Sequence, residues 1–319
     1  MNHLVSAVIV NYNGKDITLN AIKSLKSQNY KFIEIIVVDN NSSDGSQKAI
    51  KKKYKNVKLI QNNKNLGYCG INTAIGQCSG KYIFFTNNDI SLDKHCIRHL
   101  VNSLEEDKTI GIASPKVVNY FDKNLKSCGT WVSRAFYNGH FKCTNDYRKE
   151  IPYNGIALIR KEIVDKFGYL FDKDYFTYAE DLDLGLRIRL LGYRVVHVPE
   201  AVLYHMHSLT FARISKYKLT FLMERNLLCT FIKTLYLQNL IIFLPYVIVM
   251  RFMAMLKDIL ALKFMNAWAR LTAILSTIFN LPSIIKKRIK IQKLRKKDDS
   301  FLLQIFSERY ILSGQRINV

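Results

Sequence analysis

Prolines are scarce, five in 319 residues, and no long low-complexity tract breaks the chain. That scarcity excludes a chain that is mainly disordered linker and points to a folded protein with a substantial core. The six cysteines (69, 78, 96, 128, 143 and 229) contain no CxxC pair and no even framework, so they read as reduced thiols of a cytosolic protein. Neither GxGxxG nor GxxxxGK[ST] occurs, which argues against dinucleotide oxidoreductases and P-loop enzymes. A signal peptide is also missing: "MNHLVSAVIVNYNG" has no basic leader, and its apolar run is only strand length. The catalytic portion is therefore expected on the cytoplasmic side.

Acids are the scarce charge. Lys and Arg total 48 against 25 Asp and Glu, a formal net of +23, which points to a polyanionic partner. The excess concentrates in residues 211–319, where 19 basic residues face 5 acidic ones among apolar residues, unlike a disordered basic arm. Within that third, "LIIFLPYVIVM" (240–250) widens to an apolar stretch from Leu235 to Leu256, near the ~20 residues a bilayer crossing needs. Its Gln, Asn, Arg and internal Pro favour an interfacial or re-entrant helix over a clean span. "KKRIKIQKLRKK" (286–297) holds eight basic residues, either a solvated helix face or a surface for anionic lipid headgroups.

The first half alternates short apolar runs with helix-capable segments. "LVSAVIV" (4–10), "FIEIIVVD" (32–39), "VKLIQN" (57–62) and "KYIFFTN" (81–87) read as strands. Between them, 16–29 is a helix with Ile17, Ala21, Ile22 and Leu25 at near-helical spacing, 46–54 a basic helix and "GINTAIGQC" (70–78) a third helix. This alternation predicts a parallel sheet covered on both faces, with ligands beyond the carboxyl ends of its strands. A boundary is expected near Pro115, then irregular strands and loops to 155, a helix over 161–167, a helix ended by Gly192, and a strand "YRVVHV" ending at Pro199.

Each early strand ends in Asn, Asp or Gly, where chemistry would gather. Asn11-Tyr12-Asn13 closes the first, and Asp39 opens the turn-prone run Asn40 to Gly45 after the second. Asp39 can cap a helix or accept hydrogen bonds from a base or ribose. "NNKNLGYCGINTAI" (62–75) offers close backbone approach at Gly67 and Gly70 and amides at Asn65 and Asn72. Asp89, in "TNND", can bind a hard divalent cation that in turn binds phosphate oxygens. Farther along, "YAEDLDL" groups Glu180, Asp181 and Asp183 at a helix start, more acid than a cap needs. His205 and His207 would face the same way on a strand. His95 and His99 lack the acid a zinc protease would carry.

Taken together, "VSAVIVNYNG", "VVDNNSSDGS", "NKNLGYCGINTAI", "FFTNNDI", "NGIALIRKEI", "FTYAEDLDLGLRIRLLGYRVVHVPEAVLYHMHS" and "MERN" (223–226) resemble, in order, a family 2 glycosyltransferase of the rhamnosyltransferase-like, surface-polysaccharide branch. The resemblance implies a GT-A fold, an α/β Rossmann-like mixed sheet with helices on both faces, over residues 1–230. Residues 1–114 would be the nucleotide-sugar half and 115–230 the acceptor and catalytic half, followed by a helical, basic, membrane-associated region at 231–319. It also implies roles. Asn11, Tyr12 and Asp39 would hold base and ribose, Asn65 and Gly67 would line the donor pocket, and Asn88 would join them. Asn87-Asn88-Asp89 occupies the family's DxD position with Asn87 in place of the first acid, so Asp89 would be the ligand of Mg²⁺ or Mn²⁺, completed by His205. His207 has no counterpart. Asp181 would be the general base beside Glu180, and Arg225, with Asn226, would lie near the donor phosphates or the acceptor.

The implied enzyme transfers a rhamnose-like or other hexose, with inversion, from a nucleotide-diphosphate sugar to a glycan or polyprenyl-linked acceptor. It would work at the cytoplasmic face of the membrane, held there by its C-terminal region. Two other readings stay open: a catalytically impaired sugar-binding homologue, because of Asn87, and a basic nucleic-acid-binding protein. Against the latter, no helix-turn-helix, RRM or zinc-finger signature is present, so no nucleic-acid partner is expected.

Overall fold

The computed structural model describes residues 3–124, 126–142, 149–206, 215–307 and 317–318. Its first half is β1 (Val5–Asn11), α1 (Lys15–Lys26), β2 (Ile33–Asp39), α2 (Ser46–Lys53), β3 (Lys58–Gln61), a 3-10 helix (Tyr68–Gln77) and β4 (Tyr82–Asn87). Then come β5 (Ile90–Leu92), α3 (Cys96–Glu106), β6 (Ile110–Asn119), β7 (Lys126–Val132), β8 (Asn138–Lys142), β9 (Lys149–Glu150), β10 (Ala157–Arg160), α4 (Lys161–Phe167), α5 (Glu180–Leu190) and β11 (Arg194–His205). Helices α6 (Lys216–Thr234), α7 (Leu237–Leu260), α8 (Phe264–Phe279), α9 (Leu281–Leu294) and α10 (Asp299–Leu303) follow.

The sheet reads β8-β7-β6-β10-β4-β1-β2-β3, with β1 to β4 mutually parallel and β10 inserted antiparallel between β4 and β6. β11 runs parallel to β6 and antiparallel to β5. From β1 the chain steps outward to β2 and β3, then returns to place β4 on the other side of β1. The strand order reverses there, between β1 and β4, the point at which open α/β sheets hold ligands in a crevice beyond the strand ends. Alternation along the strands feeds two cores. Val5, Ala7 and Ile9 pack with Ala21, Ile22, Leu25, Ile97 and Leu100 on one face. Val8, Val10, Ile36 and Val38 pack with Ile71, Ile75, Ile163, Leu184 and Ile188 on the other.

Three local expectations change. Residues 68–77 form a 3-10 helix rather than an α-helix. A 3-10 run of this length needs support from outside, and Asn72 receives it: its Nδ2 donates to Phe171 O (2.7 Å) and its Oδ1 accepts from Leu170 N (2.9 Å) and Phe171 N (3.1 Å). On α1 the buried face runs through Thr18, Ala21, Ile22 and Leu25 and leaves Ile17 half-buried, because Thr18 bonds to the end of β1. Finally, β11 does not stop at Pro199. A register shift between Val198 and Val202 absorbs the proline as a bulge, and the strand continues to His205.

Helices α5 to α7 and strand β7 share a third core that includes Trp131, Phe136, Leu182, Leu186, Leu227, Phe231 and Val247. α7 is 24 residues long with an 18-residue stretch of mean hydropathy 2.0, long and apolar enough to cross a membrane, and contains Pro245. It buries Val247, Arg251 and Ala254 and exposes Ile241, Ile242, Ile248, Val249, Phe252 and Met253. Arg251 Nε lies 3.1 Å from Glu224 Oε2 of α6. α8 and α9 meet at a 68° bend.

Part of the basic stretch 286–297 serves the fold itself. Arg288 donates to the carbonyls of Ile232 (2.6 Å) and Leu235 (2.5 Å), Gln292 to those of Lys233 (2.9 Å) and Thr234 (3.0 Å), and Arg295 to Thr234 (3.2 Å). These are the orphan carbonyls of the α6 C-terminus, and cations are favoured there by the helix dipole. Lys286, Lys290, Lys293, Lys296 and Lys297 remain exposed.

Candidate active site

Asn11 and Asp39, the last residues of β1 and β2, sit opposite each other in register. Asn11 Nδ2 donates to Asp39 Oδ2 at 2.7 Å and to Ser42 Oγ at 3.2 Å. Asp39 Oδ1 accepts from Ser42 N (2.9 Å) and Gln47 Nε2 (2.7 Å). Asn11 Oδ1 accepts from Thr18 Oγ1 (2.7 Å) and from Asn88 Nδ2 (2.9 Å), just beyond β4. Asn11, Thr18, Asp39 and Ser42 are buried, Gln47 and Asn88 half-buried, and the partners of each hold it in one orientation. Gly14 makes room for it, since a Cβ there would stand 2.2 Å from Asn88 Nδ2. Tyr12, next to this network, is 43% exposed at the mouth of the crevice.

The third loop interlocks with the second half. Asn65 Oδ1 accepts from Gly67 N (2.8 Å), and Gly67 O accepts from Asn40 Nδ2 (2.7 Å). Gly67 has φ 64 and ψ −155, a conformation reserved for glycine, and a Cβ there would fall 2.2 Å from Phe176 O. Cys69 N donates to that same carbonyl (3.2 Å), and Tyr68 Oη donates to Gly155 O (2.6 Å).

At the start of α5 the three acids separate. Asp183 is fully buried between Arg187 Nε and Lys233 Nζ, each 2.7 Å away, and Lys233 also reaches Asp172 at 2.7 Å. Glu180 is buried, and its Oε2 has no hydrogen-bond partner among the described residues. Half-buried Asp181 accepts from Leu182 N (2.8 Å). Burial raises both carboxyls, Glu180 further because the Asp181 charge stands beside it, and Asp181 is pushed up to about 6. At neutral pH this arrangement leaves Asp181 ionised and able to accept a proton, beside a Glu180 carboxyl biased toward holding one. The turn ahead of them is strained: Phe176, Tyr178 and Ala179 have φ of 64, 68 and 60, at a cost of roughly 1–3 kcal/mol each. Arg225 and Asn226 of α6 bond to its carbonyls, Arg225 Nη2 to Asp174 O at 2.7 Å and Asn226 Nδ2 to Tyr178 O at 2.7 Å.

Asp89 and His205 meet because β5 and β11 pair antiparallel, Ile90 opposite His205. His205 Nε2 lies 3.3 Å from Asp89 Oδ1, and Met206 N donates to Asp89 O at 2.9 Å. Burial, helped by His140, pushes the imidazole down to about 4, so the ring is neutral and carries a lone pair. Both are suited to a divalent cation: a hard carboxylate oxygen and a neutral imidazole. Among the described residues no group of three or more His, Cys, Asp or Glu is placed to hold a metal, so these two would leave most coordination positions to ligand oxygens and water. His207 lies outside the described residues.

The glycosyl transferase family 2 model matches residues 6–168, just over half of the sequence. The chain belongs to glycosyl transferase family 2. An Escherichia coli protein named UDP-Glc:alpha-D-GlcNAc-diphosphoundecaprenol beta-1,3-glucosyltransferase is 30% identical over 192 residues, 58% of this chain and 73% of that one. An N-acetylglucosaminyl-diphospho-decaprenol L-rhamnosyltransferase of Mycobacterium tuberculosis is 25% identical over 236 residues, 64% of this chain and 76% of that one. The fold is similar to a mannosyltransferase of Pyrobaculum calidifontis solved with GDP-Man and Mn²⁺, with TM-score 0.55 over 92% of this chain and 86% of that one at 17% identity. The fold is GT-A.

In this glycosyltransferase Asn11, Asp39 and Asn88 share one network, Asn65 and Gly67 shape the loop beside it, Asp89 meets His205, and Glu180 stands with Asp181. Arg225 is tied to the turn backbone, with its guanidinium 5.4 Å from the Phe221 ring. Sequence reasoning missed Thr18, Ser42, Gln47 and Tyr68. Thr18 had a signal, a polar residue at the i, i+3, i+4, i+7 spacing of Ala21, Ile22 and Leu25. Tyr68 is the aromatic directly after Gly67; besides burial, the charges of Glu180, Asp181 and Asp89 raise its hydroxyl.

Proposed function

We propose that this glycosyltransferase moves a rhamnose-like or other hexose, with inversion, from a nucleotide-diphosphate sugar to a glycan or polyprenyl-diphosphate acceptor in cell-surface polysaccharide synthesis. The observation that carries the reading is the un-neutralised Glu180–Asp181 pair, locked through Gly67–Phe176 and Tyr68–Gly155 to the polar strand ends. The printed substrates of the two relatives, diphospho-polyprenol-linked sugars, support the acceptor class.

In this reading Tyr12 stacks on the nucleobase while the Asn11–Asp39–Asn88 network keeps the ribose side of the crevice rigid, and Asn65 and Gly67 line the sugar side. Asp181 accepts the proton of the attacking acceptor hydroxyl as that oxygen bonds to the anomeric carbon and the bond to the diphosphate breaks. Glu180, its carboxyl raised by burial and by the Asp181 charge, resists placing a second negative charge beside the base. Asp89 and His205 would hold Mg²⁺ or Mn²⁺, which supplies charge neutralisation to a diphosphate leaving group when bound. Arg225 stands at the acceptor side of the turn.

The C-terminal helices would dock on the cytoplasmic face of the membrane. α7 and α8 turn Ile248, Phe252, Phe264 and Trp268 outward, and the exposed lysines of α9 flank Ile285 and Ile289. Apolar side chains ringed by lysines fit an anionic lipid surface better than a nucleic acid. α7 would lie in the plane rather than cross it, because Arg251 on its inner face is paired with Glu224 of the catalytic domain.

The test is a screen of UDP-glucose, dTDP-rhamnose and GDP-mannose for binding and hydrolysis with and without Mn²⁺. Turnover that Mn²⁺ stimulates and Asp89→Ala removes is the expected result. Binding without turnover of any donor would favour the sugar-binding homologue suggested by Asn87.

A further inference from the structure

The turn that delivers Glu180 and Asp181 is made of residues that resist its shape. Side chains bearing a Cβ enter positive φ only when their surroundings hold them there, yet Phe176, Tyr178 and Ala179 all do. What holds them converges on a single amide. Asn226, on α6 and fully buried, directs Nδ2 at the carbonyls of Tyr175 (3.1 Å), Thr177 (3.0 Å) and Tyr178 (2.7 Å). Its Oδ1 accepts from Arg225 Nε (3.0 Å) and Nη2 (2.8 Å), which leaves the amide one orientation, with its donors toward the turn. From the other side, Cys69 N meets Phe176 O (3.2 Å), and Gly67 leaves no space for the turn to relax in that direction.

We propose that Asn226 is a positioning residue of the transfer reaction: it gathers the turn carbonyls and so fixes where the Asp181 carboxylate stands against the acceptor hydroxyl. This rests on the reading of Asp181 as general base. The amide must donate, since carbonyls only accept. Aspartate has the same shape but would point oxygens at the three carbonyls. Asn226→Asp therefore separates hydrogen bonding from mere filling of space.

The experiment compares the full-length wild type, Asn226→Ala, Asn226→Asp and Asp181→Asn. It uses whichever of UDP-glucose, dTDP-rhamnose and GDP-mannose the wild type hydrolyses fastest with Mn²⁺. Hydrogen exchange over residues 174–183 is followed in parallel. Displacing a reacting group by about 1 Å can cost ~100-fold, so kcat should fall about 30- to 100-fold in both Asn226 variants, with donor KM within about threefold. Exchange should quicken in 174–183 and stay unchanged in β1 and β2. Arg225→Ala, which frees the amide to rotate and also removes the Nη2 bond to Asp174 O, should act in the same direction by about three- to tenfold, and it serves if the Asn226 variants do not fold. Wild-type kcat in Asn226→Asp, or unchanged exchange at 174–183, would overturn the proposal. If Asp181→Asn is inactive while the Asn226 variants keep full kcat, the clamp alone fails. If Asp181→Asn turns over at the wild-type rate, the base reading fails and takes the positioning role with it.

Discussion

Asn11, Asp39 and Asn88 lie at the ends of β1, β2 and β4, tied to one another and to Thr18, Ser42 and Gln47. Opposite them, Glu180 and Asp181 stand together with no cation bonded to either among the described residues, at the end of a strained turn. Under the proposed function the two sides meet different demands. A surface that grips a nucleotide gains from rigid, satisfied polar groups, which present one shape and need no reorganisation. A base must keep an affinity for protons, so its charge has to be left unanswered. The cost of that is borne next door, where Asp183 and Asp172 are matched by Lys233, Arg187 and Lys287.

The strongest way to break this comparison is Asp181→Asn. Transfer should fall by about 10³ or more while donor affinity by calorimetry stays within about threefold; an equal loss of both would mean that Asp181 serves binding. Next is Lys233→Met, which leaves the buried Asp183 to Arg187 and Asp172 to Lys287 and should cost about 3–5 kcal/mol in urea unfolding. A loss under about 1 kcal/mol would show that Arg187 and Lys287 suffice to neutralise the two carboxylates. Burial pushes the Asp172 carboxyl up, but Lys233 and Lys287 more than offset it and hold it below the usual range. That stability is present above about pH 4 and is lost as pH falls toward the folded value.

Smaller effects sharpen the donor side. Tyr12→Ala should weaken nucleotide-sugar binding by about 1–3 kcal/mol, the worth of one base–aromatic stack, with kcat at saturating donor unchanged. A change in kcat instead would move Tyr12 to the chemistry. The pH profile reads the base directly. If Asp181 is the base, as proposed, its ionised form is the active one; with its carboxyl pushed up to about 6, kcat should be flat above that pH and fall below it. The Tyr68 and Tyr153 hydroxyls facing it from other segments stay protonated through that range, and the Glu180 carboxyl beside it is itself raised. A profile flat to pH 4.5 would put the titrating group elsewhere. The smallest expected change is in Phe252→Glu, which should lower co-sedimentation with anionic vesicles and leave hydrolysis of a soluble donor intact.

Strands and their polar ends were legible because burial on both faces demands continuous apolar runs, and turn chemistry marks where they stop. Glu180 and Asp181 were legible as surplus acid at a helix start. What separates them from Asp183 was not, because Lys233 lies 50 residues downstream and no local period connects the two. Helix type at 68–77 was hidden for the same reason: its support comes from Leu170 and Phe171. The basic run at 286–297 was read as a face for solvent or lipid, yet Arg288 and Arg295 close the end of α6 and Lys287 pairs with Asp172. Nothing in composition distinguishes a capping cation from a solvated one.

The plugged end of α6 bears on how the protein can be handled. That helix carries Asn226 and Lys233 toward the catalytic turn, and α9 seals its last carbonyls. Trimming the apolar helices to obtain a soluble enzyme would take the seal away and unsettle the turn from behind. Polar substitutions on the outward face of α7 and α8 would leave it in place. Solubility and activity can therefore be engineered together at the surface, and not by shortening the chain.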